Sequence, residues 1–413
     1  MKSEPEPAHL DVYLGNDPVG QLRLDEKRRF VFQYDANWLG RDDAVPLSLS
    51  LPLRKEVYAE DSARPFFANL LPEGEIKRTI ARRLQISARN DFAMLNRIGG
   101  ECAGAVSLFP AGTTPDLKPG YIRLDEEALR RIITDLHKKP LMAGMEGMRL
   151  SLAGAQNKLP VYMEEGDVFI ASGNSPSTHI LKPPIRDLAG TVENETFCMM
   201  LAREMDLPVP PVAMRRDPAE CYIVERYDRR RDLHGRVERL HQEDFCQALG
   251  FLPDQKYENE GGPSLSECFR LLQEKSISPS ADRLVLLQWT IFNFLIGNAD
   301  AHAKNLAIIF TPVGPKLAPF YDLICTRIYP ELTERLAMKI GGENRPPWIQ
   351  TRHWRNFADA IGIKANLVFN TLTAMGAKIL PAAGVILGEY EATYGRSEVI
   401  EKIIAVIEKN TGK

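Results

Sequence analysis

The stretch Asn298 to Asn305, N-A-D-A-H-A-K-N, sets an acid and an amide five residues apart. That interval suits phosphoryl transfer: Asp300 can take the proton of an acceptor hydroxyl, and Asn305 can hold a Mg²⁺ on nucleotide phosphates. A second metal-holding acid is expected after the next short strand pair. Asp322, in A-P-F-Y-D-L, stands there, beyond the apolar run Leu306 to Phe310. The competing reading of D-x-x-x-x-N is a helix-capping loop, because Asp and Asn favour such positions anyway. Lys304 is placed to offset charge on the transferred phosphoryl group. It ranks above His302, which reads as well as a loop imidazole bonded to backbone as it does as a base.

The parts that would position a nucleotide precede this stretch in order. Ser151 begins S-L-A-G-A-Q-N-K, where small residues let backbone N–H groups approach phosphate oxygens. Ala153, Gly154, Ala155, Gln156, Asn157 and Lys158 are therefore the candidate cradle, although a loop with one glycine also reads as a hairpin corner. Lys182, in T-H-I-L-K-P-P, can neutralise phosphate as a point charge, or can simply end a strand in solvent. Glu195 is either the acid that orients that lysine or a helix-surface residue. Glu225, Arg226 and Tyr227, at the end of a strand, are expected to offer backbone partners to adenine as the connector between two lobes. The arginines Arg226, Arg229, Arg230 and Arg231 together read as a solvated turn. Small-residue loop, lysine strand, acid-bearing helix, connecting strand, D-x-x-x-x-N and a second Asp follow the serial order of a kinase active site.

A chain of 413 residues predicts two to three domains with substantial cores. Its 44% hydrophobic and 26% charged residues are ordinary globular usage, and a net charge of −3 argues against nucleic-acid binding by bulk electrostatics. Six scattered cysteines without C-x-x-C pairs suggest neither a zinc site nor a disulfide framework and read as small buried hydrophobes in a reducing compartment. The opening M-K-S-E-P-E-P has no apolar core of a signal peptide, and the stretch Leu284 to Gly297 is too short to span a bilayer. These features predict a cytoplasmic protein with no membrane partner.

Residues 9 to 35 predict a small antiparallel sheet, with strands L-D-V-Y-L and F-V-F-Q-Y separated by the turn-rich G-N-D-P-V-G and D-E-K-R-R. Helical spacing follows from Phe66 to Arg97, with Asn90 or Asp91 as a cap, then a glycine-rich tight turn into a strand at Gly99. Pro110 to Pro119 reads as a linker and Asp125 to Lys138 as an amphipathic helix. From Arg149 two strands are expected around the small-residue loop, then a hairpin. Short strands at Thr178 to Lys182 and Cys221 to Glu225 flank a helix from Val192 to Asp206, and the remainder is mainly helical.

These segments together resemble the HipA-type serine/threonine kinases, the toxins of bacterial type II toxin–antitoxin pairs. The resemblance spans nearly the whole chain: P-L-S-L-S-L-P-L from Pro46, F-F-A-N-L-L-P from Phe66, S-L-A-G-A-Q-N-K, T-H-I-L-K, V-E-R-Y-D-R-R from Val224, Q-E-D-F-C-Q from Gln242, K-Y-E-N-E-G-G-P from Lys256, N-A-D-A-H-A-K-N and F-Y-D. It implies an α+β, bilobal protein-kinase-like fold. Residues 1–120 would form a sheet-and-helix module, 121–230 an ATP-binding region, and 231–413 a mainly helical lobe with the catalytic and metal loops.

The resemblance also implies roles. Asp300 is the base, Asn305 and Asp322 hold Mg²⁺, Lys182 contacts ATP, and Ala153 to Lys158 form the phosphate loop. Ser151 is the implied autophosphorylation site, where a charge of about −1.5 to −2 would repel ATP phosphates and expel the loop. The implied partner is a HipB-like helix-turn-helix antitoxin, through which operator DNA is reached indirectly. The implied substrate is a translation protein, in some members glutamyl-tRNA synthetase, an aminoacyl-tRNA synthetase whose modification arrests growth. Leu323 and Ile324 follow Asp322 where ordinary kinases have Phe-Gly, so their activation-segment logic does not carry over. Two other readings stand beside this one: a small-molecule phosphotransferase of the antibiotic-kinase type, and a catalytically silent partner-binding module.

Overall fold

The structure is a computed structural model that describes residues 9–113, 115, 120–144 and 149–412. Contact density divides the chain into two compact units, residues 1–183 with 216–253 and residues 184–215 with 254–413.

The first unit opens with β1 (His9–Leu14), β2 (Asp17–Leu24) and β3 (Phe30–Tyr34), joined by β4 (Val106–Pro110) in the order β3-β2-β1-β4. Every second residue of β1 is buried, so Leu10, Val12 and Leu14 face the core as period-two patterning requires. β2 lies between the two strands that the spacing predicts. The turn is Gly15-Asn16 alone, and D-P-V-G, read as turn chemistry, belongs to the paired strand. The short helix α1 (Ala36–Leu39) seats Trp38 beside the sheet, and α2 (Glu60–Ala68), α3 (Gly74–Leu84) and α4 (Asp91–Ile98) cover it. Phe32, Phe66, Phe67, Leu71, Met94 and Leu108 meet there with almost no exposed surface, each worth about 1.5–3 kcal/mol of burial. Asn90 caps α4 as expected, its side chain accepting from Ala93 N at 3.0 Å. Of the expected linker, residues 114 and 116–119 lie outside the described residues.

The second sheet of this unit runs β5-β7-β6-β8-β10, from β5 (Gly120–Leu124), β6 (Leu159–Glu164), β7 (Asp167–Ser172), β8 (His179–Lys182) and β10 (Cys221–Glu225). The helix α5 (Glu126–Asp135) starts at Asp125, which accepts from Ala128 N at 2.7 Å. The strand expected before the small-residue loop is reduced to one bridge, Glu101 to Leu150. A two-stranded ribbon, β11 (Arg229–Arg231) and β12 (Val237–Arg239), precedes β13 (Gln242–Asp244) and α7 (Phe245–Leu249).

The second unit begins with α6 (Thr191–Glu204) and β9 (Val212–Arg215), then α8 (Leu265–Lys275) and α9 (Pro279–Ile296). The helix α9 is its axis. Proline stands at its first turn, its last ten residues are nearly all buried, and Gly297 ends it in the left-handed conformation at φ 74°. A helix apolar on all sides belongs in a core. The hairpin β14 (Ala307–Thr311) and β15 (Gly314–Leu317) follows, then α10 (Thr351–Ile361), α11 (Ala365–Tyr394) and α12 (Glu398–Thr411). The stretch Leu284 to Gly297 falls at the end of α9, and the longer apolar helix is α11. It runs for 30 residues and holds an 18-residue window of mean hydropathy 1.4, long and apolar enough to cross a membrane by length and composition. Val368, Met375, Ile379, Ala383, Ile386 and Tyr390 form its buried face, and it packs against α6, α9, α10 and α12.

Candidate active site

In the second unit, the loop after Gly297 is built on amide side chains. Asn293, three percent exposed inside α9, donates to Trp289 O at 2.8 Å and accepts from Asn298 Nδ2 at 2.7 Å. Asn298 Oδ1 then accepts from Asp300 N at 3.0 Å. Thr326 Oγ1 accepts from Ala299 N at 2.7 Å and donates to Gly297 O. Buried amides of this kind are stable only when satisfied, and here they convert a rigid helix end into a fixed loop.

That loop brings the expected residues together. Asp300 is exposed. Asn305 is buried and folds back, its Nδ2 donating to Asp300 O at 3.1 Å and its N–H to His302 O. With the amide nitrogen so used, Oδ1 is the atom left to serve as an oxygen ligand, the type a hard divalent cation requires. Lys304 and His302 are buried. Lys304 O accepts from Tyr321 OH at 2.7 Å, which ties the loop to the segment carrying Asp322. Asp322 has φ 54°, a left-handed conformation that a non-glycine residue adopts at a cost of about 1–3 kcal/mol and that recurs at functional sites. An amide oxygen and a carboxylate on tied loops fit a Mg²⁺ site, the ion's role being to neutralise phosphate charge. Sequence reasoning did not assign Asn293, Asn298, Thr326, Tyr321 or Tyr257, whose hydroxyl donates to Asp300 Oδ1 at 2.6 Å.

The first unit holds the other candidates. Ser151 has no exposed surface: its Oγ donates to Leu70 O at 2.7 Å and its N–H to Glu101 O at 2.8 Å. Gly154 sits at φ 105°, where a Cβ would meet the Lys158 ammonium at 2.8 Å. Lys158 Nζ donates to Ala153 O at 2.6 Å and so closes the loop on itself. Ala155 is exposed at its tip, with Ala153, Gln156 and Asn157 half-buried. The β6–β8 register sets Leu159, the residue after Lys158, opposite Leu181, the residue before Lys182. Lys182 is not an exposed strand end. It is five percent exposed, with Nζ 5.5 Å from the Tyr222 ring centre. Glu195 is not a helix-surface residue either: it lies buried on α6, in the second unit.

Two arginines of the expected solvated turn are buried. Arg226 Nε and Nη2 donate to Asp228 Oδ1 and Oδ2 at 2.9 and 2.8 Å, and Nη1 reaches Glu101 at 3.3 Å. Arg229 contacts Glu101 and Asp228 at 3.2 and 3.1 Å, while Arg230 and Arg231 remain exposed. Burial works against the charge of the Asp228 carboxyl, but the two guanidiniums outweigh it and hold the group well below the ordinary carboxylate range. Burial, joined by the Arg226 charge, draws Arg229 down to about 10. Arg226 N donates to Thr178 O at 2.9 Å, and Tyr227 OH donates to Gln242 Oε1, so both are engaged within their own unit. Glu225 is exposed at the end of β10, opposite His179.

A loop-and-lysine sheet unit and a helical unit carrying an acid–amide loop define a protein-kinase-like α+β fold. Residues 10–109 match the model of the HipA N-terminal domain, and residues 150–382 that of the HipA-like C-terminal domain. The chain belongs to the HipA family. It is 34% identical over 400 residues to the serine/threonine-protein kinase toxin HipA of Shewanella oneidensis, covering 92% of this chain and 89% of that one. It is 43% identical over 393 residues to Y4mE of Sinorhizobium fredii, covering 93% of each. The solved structure of Shewanella oneidensis HipA with HipB and its operator DNA superposes with a TM-score of 0.84 at 31% identity, over 98% of this chain and 97% of that one.

Proposed function

We propose that this chain is an ATP- and Mg²⁺-dependent serine/threonine protein kinase of the HipA toxin type. The observation that carries the reading is the tie among the candidate base and metal ligands: Asn305 Nδ2 to Asp300 O, and Tyr321 OH to Lys304 O beside Asp322. In this reading Asp300 takes the acceptor hydroxyl's proton, Asn305 and Asp322 hold the cation, and Lys304 offsets charge on the transferred group. Lys182 and the loop Ala153 to Lys158 take the ATP phosphates, the segment Glu225, Arg226 and Tyr227 supplies backbone partners to the adenine, and Glu195 orients the lysine. The regions 1–120, 121–230 and 231–413 are the corresponding functional divisions. Their boundaries differ from those of the compact units.

Ser151 is the proposed autophosphorylation site. Since its hydroxyl is wholly buried against Leu70 O, phosphorylation requires the loop to leave that seat, and the added charge then keeps it out. A HipB-like helix-turn-helix antitoxin is the proposed inhibitor and the route to operator DNA, by likeness to the Shewanella complex. The proposed substrate class is a translation protein such as an aminoacyl-tRNA synthetase, and the compartment is the cytoplasm.

Peptide mass spectrometry after incubation with ATP and Mg²⁺ tests this. Phosphate on Ser151 in the wild-type chain and none in Asp300→Asn is expected. Phosphorylation that persists in Asp300→Asn would remove Asp300 from the role of base.

A further inference from the structure

The segment K-Y-E-N-E-G-G-P enters none of the roles above, yet it is built against the candidate base. Tyr257 OH lies 2.6 Å from Asp300 Oδ1, a short charge-assisted hydrogen bond. Its ring stands edge-on to His302, with centres 5.4 Å apart at 79°. The backbone around it is pinned to the same loop: Glu258 N donates to Ala337 O at 3.0 Å, and Ala337 N donates to Ala299 O at 2.9 Å. The Glu258 carboxylate accepts from Lys339 N at 2.6 Å. Gly262 closes the turn by donating to Tyr257 O at 2.9 Å. A Cβ at Gly262 would come within 2.1 Å of Gln255 O, so only glycine permits this turn. Glu258 and Gly262 of the motif thus hold the turn that carries the phenol to the carboxylate.

We propose that Tyr257 is a positioning residue for phosphoryl transfer, its hydroxyl holding Asp300 Oδ1 so that Oδ2 faces the acceptor hydroxyl. The inference rests on the reading of Asp300 as the base. A carboxylate with both oxygens in water samples rotamers, and the base must present one oxygen at about 2.6–3.2 Å from the proton that it removes. Fixing the other oxygen selects the productive orientation without occupying the position that the acceptor needs. Because the hydroxyl acts on the proposed base, and the nucleotide and cation are assigned to other residues, its removal should act on turnover and leave nucleotide binding alone.

The test is Tyr257→Phe, which keeps the ring against His302 and deletes only the hydroxyl. The readouts are ADP release from Mg·ATP and phosphate incorporated into the full-length chain, with the apparent KM for ATP and the melting temperature measured alongside. About a tenfold or greater fall in kcat is expected, with KM for ATP and melting temperature unchanged. In the Asp300→Asn background, the same substitution should have no further effect. Unchanged or increased turnover in Tyr257→Phe, with Asp300→Asn inactive, overturns the positioning role alone. A fall in kcat that comes with a lower melting temperature or a raised KM for ATP overturns it too, in favour of a structural role. If Asp300→Asn turns over like wild type, or wild type does not turn over, the underlying assignment fails instead.

Discussion

Arg226 and Asp228 form a two-pronged ion pair almost wholly out of water, with side-chain exposures of 2% and 5%. Glu101 and Arg229 join the same buried cluster, each guanidinium pairing with both carboxylates, and the Arg239 charge also acts on Glu101. Such a group is less a source of stability than a constraint: it costs much to bury and more to break.

Asp228→Ala leaves Arg226 and Arg229 with one carboxylate between them. A loss of about 3–5 kcal/mol is expected, read from urea unfolding. Asp228→Asn keeps the shape, loses the charge and should fall between that variant and wild type. The depressed Asp228 carboxyl contributes stability that is present above its unfolded pKa and lost as pH falls toward its folded value, so the Asp228→Asn deficit should shrink in acid.

Glu243 should give the opposite sign. Burial pushes its carboxyl up to about 8, only partly offset by the Ser48 hydroxyl and the Leu49 N–H that it accepts. The folded state therefore keeps a proton that the unfolded state releases near pH 4.5. Stability from this group is full below that value and declines as pH rises through about 8, by at most about 1.4 kcal/mol per pH unit. The difference in unfolding free energy between wild type and Glu243→Gln should move in favour of the variant across that window. A difference that stays flat from pH 5 to 8 would mean the carboxyl is ionised in the fold.

Ser151→Ala removes one buried hydrogen bond, to Leu70 O, and should cost about 1 kcal/mol. Ser151→Asp puts a carboxylate against a carbonyl oxygen with no surface exposed, and should drive the loop from its seat. Calorimetric titration with Mg·ATP is expected to show weakened binding for Ser151→Asp and near-normal binding for Ser151→Ala. Equal affinities for the two would separate the loop's seat from nucleotide binding.

Asp322→Asn retains a residue that tolerates φ 54° while removing the charge. ATP affinity in Mg²⁺ should fall at least about tenfold, and ATP affinity in EDTA should not change. An equal fall under both conditions would point to a packing role for the side chain.

Local spacing carried most of the secondary structure. Cys221–Glu225 is a strand at the expected residues because five residues of alternating or continuous apolar character leave few alternatives. Asn90 and Asp125 cap helices because short polar side chains compete for the first free N–H groups wherever a helix begins. D-P-V-G misled, since proline and glycine signal turns by backbone preference and a strand can still take them when its pairing is satisfied elsewhere.

By itself the sequence determined the order of chemical groups: the small-residue loop, Lys182, and the five-residue step from Asp300 to Asn305, which sit on a loop, a strand end and a turn because those elements are encoded within a few residues of each one. Tertiary structure decided which groups meet. Arg226 lies against Glu101 across 125 positions, Ser48 against Glu243 across 195, and Tyr257 against Asp300 across 43. No periodicity records such contacts. They arise only when each unit has packed, and burial then gives charges and hydroxyls partners that their neighbours in the chain do not announce.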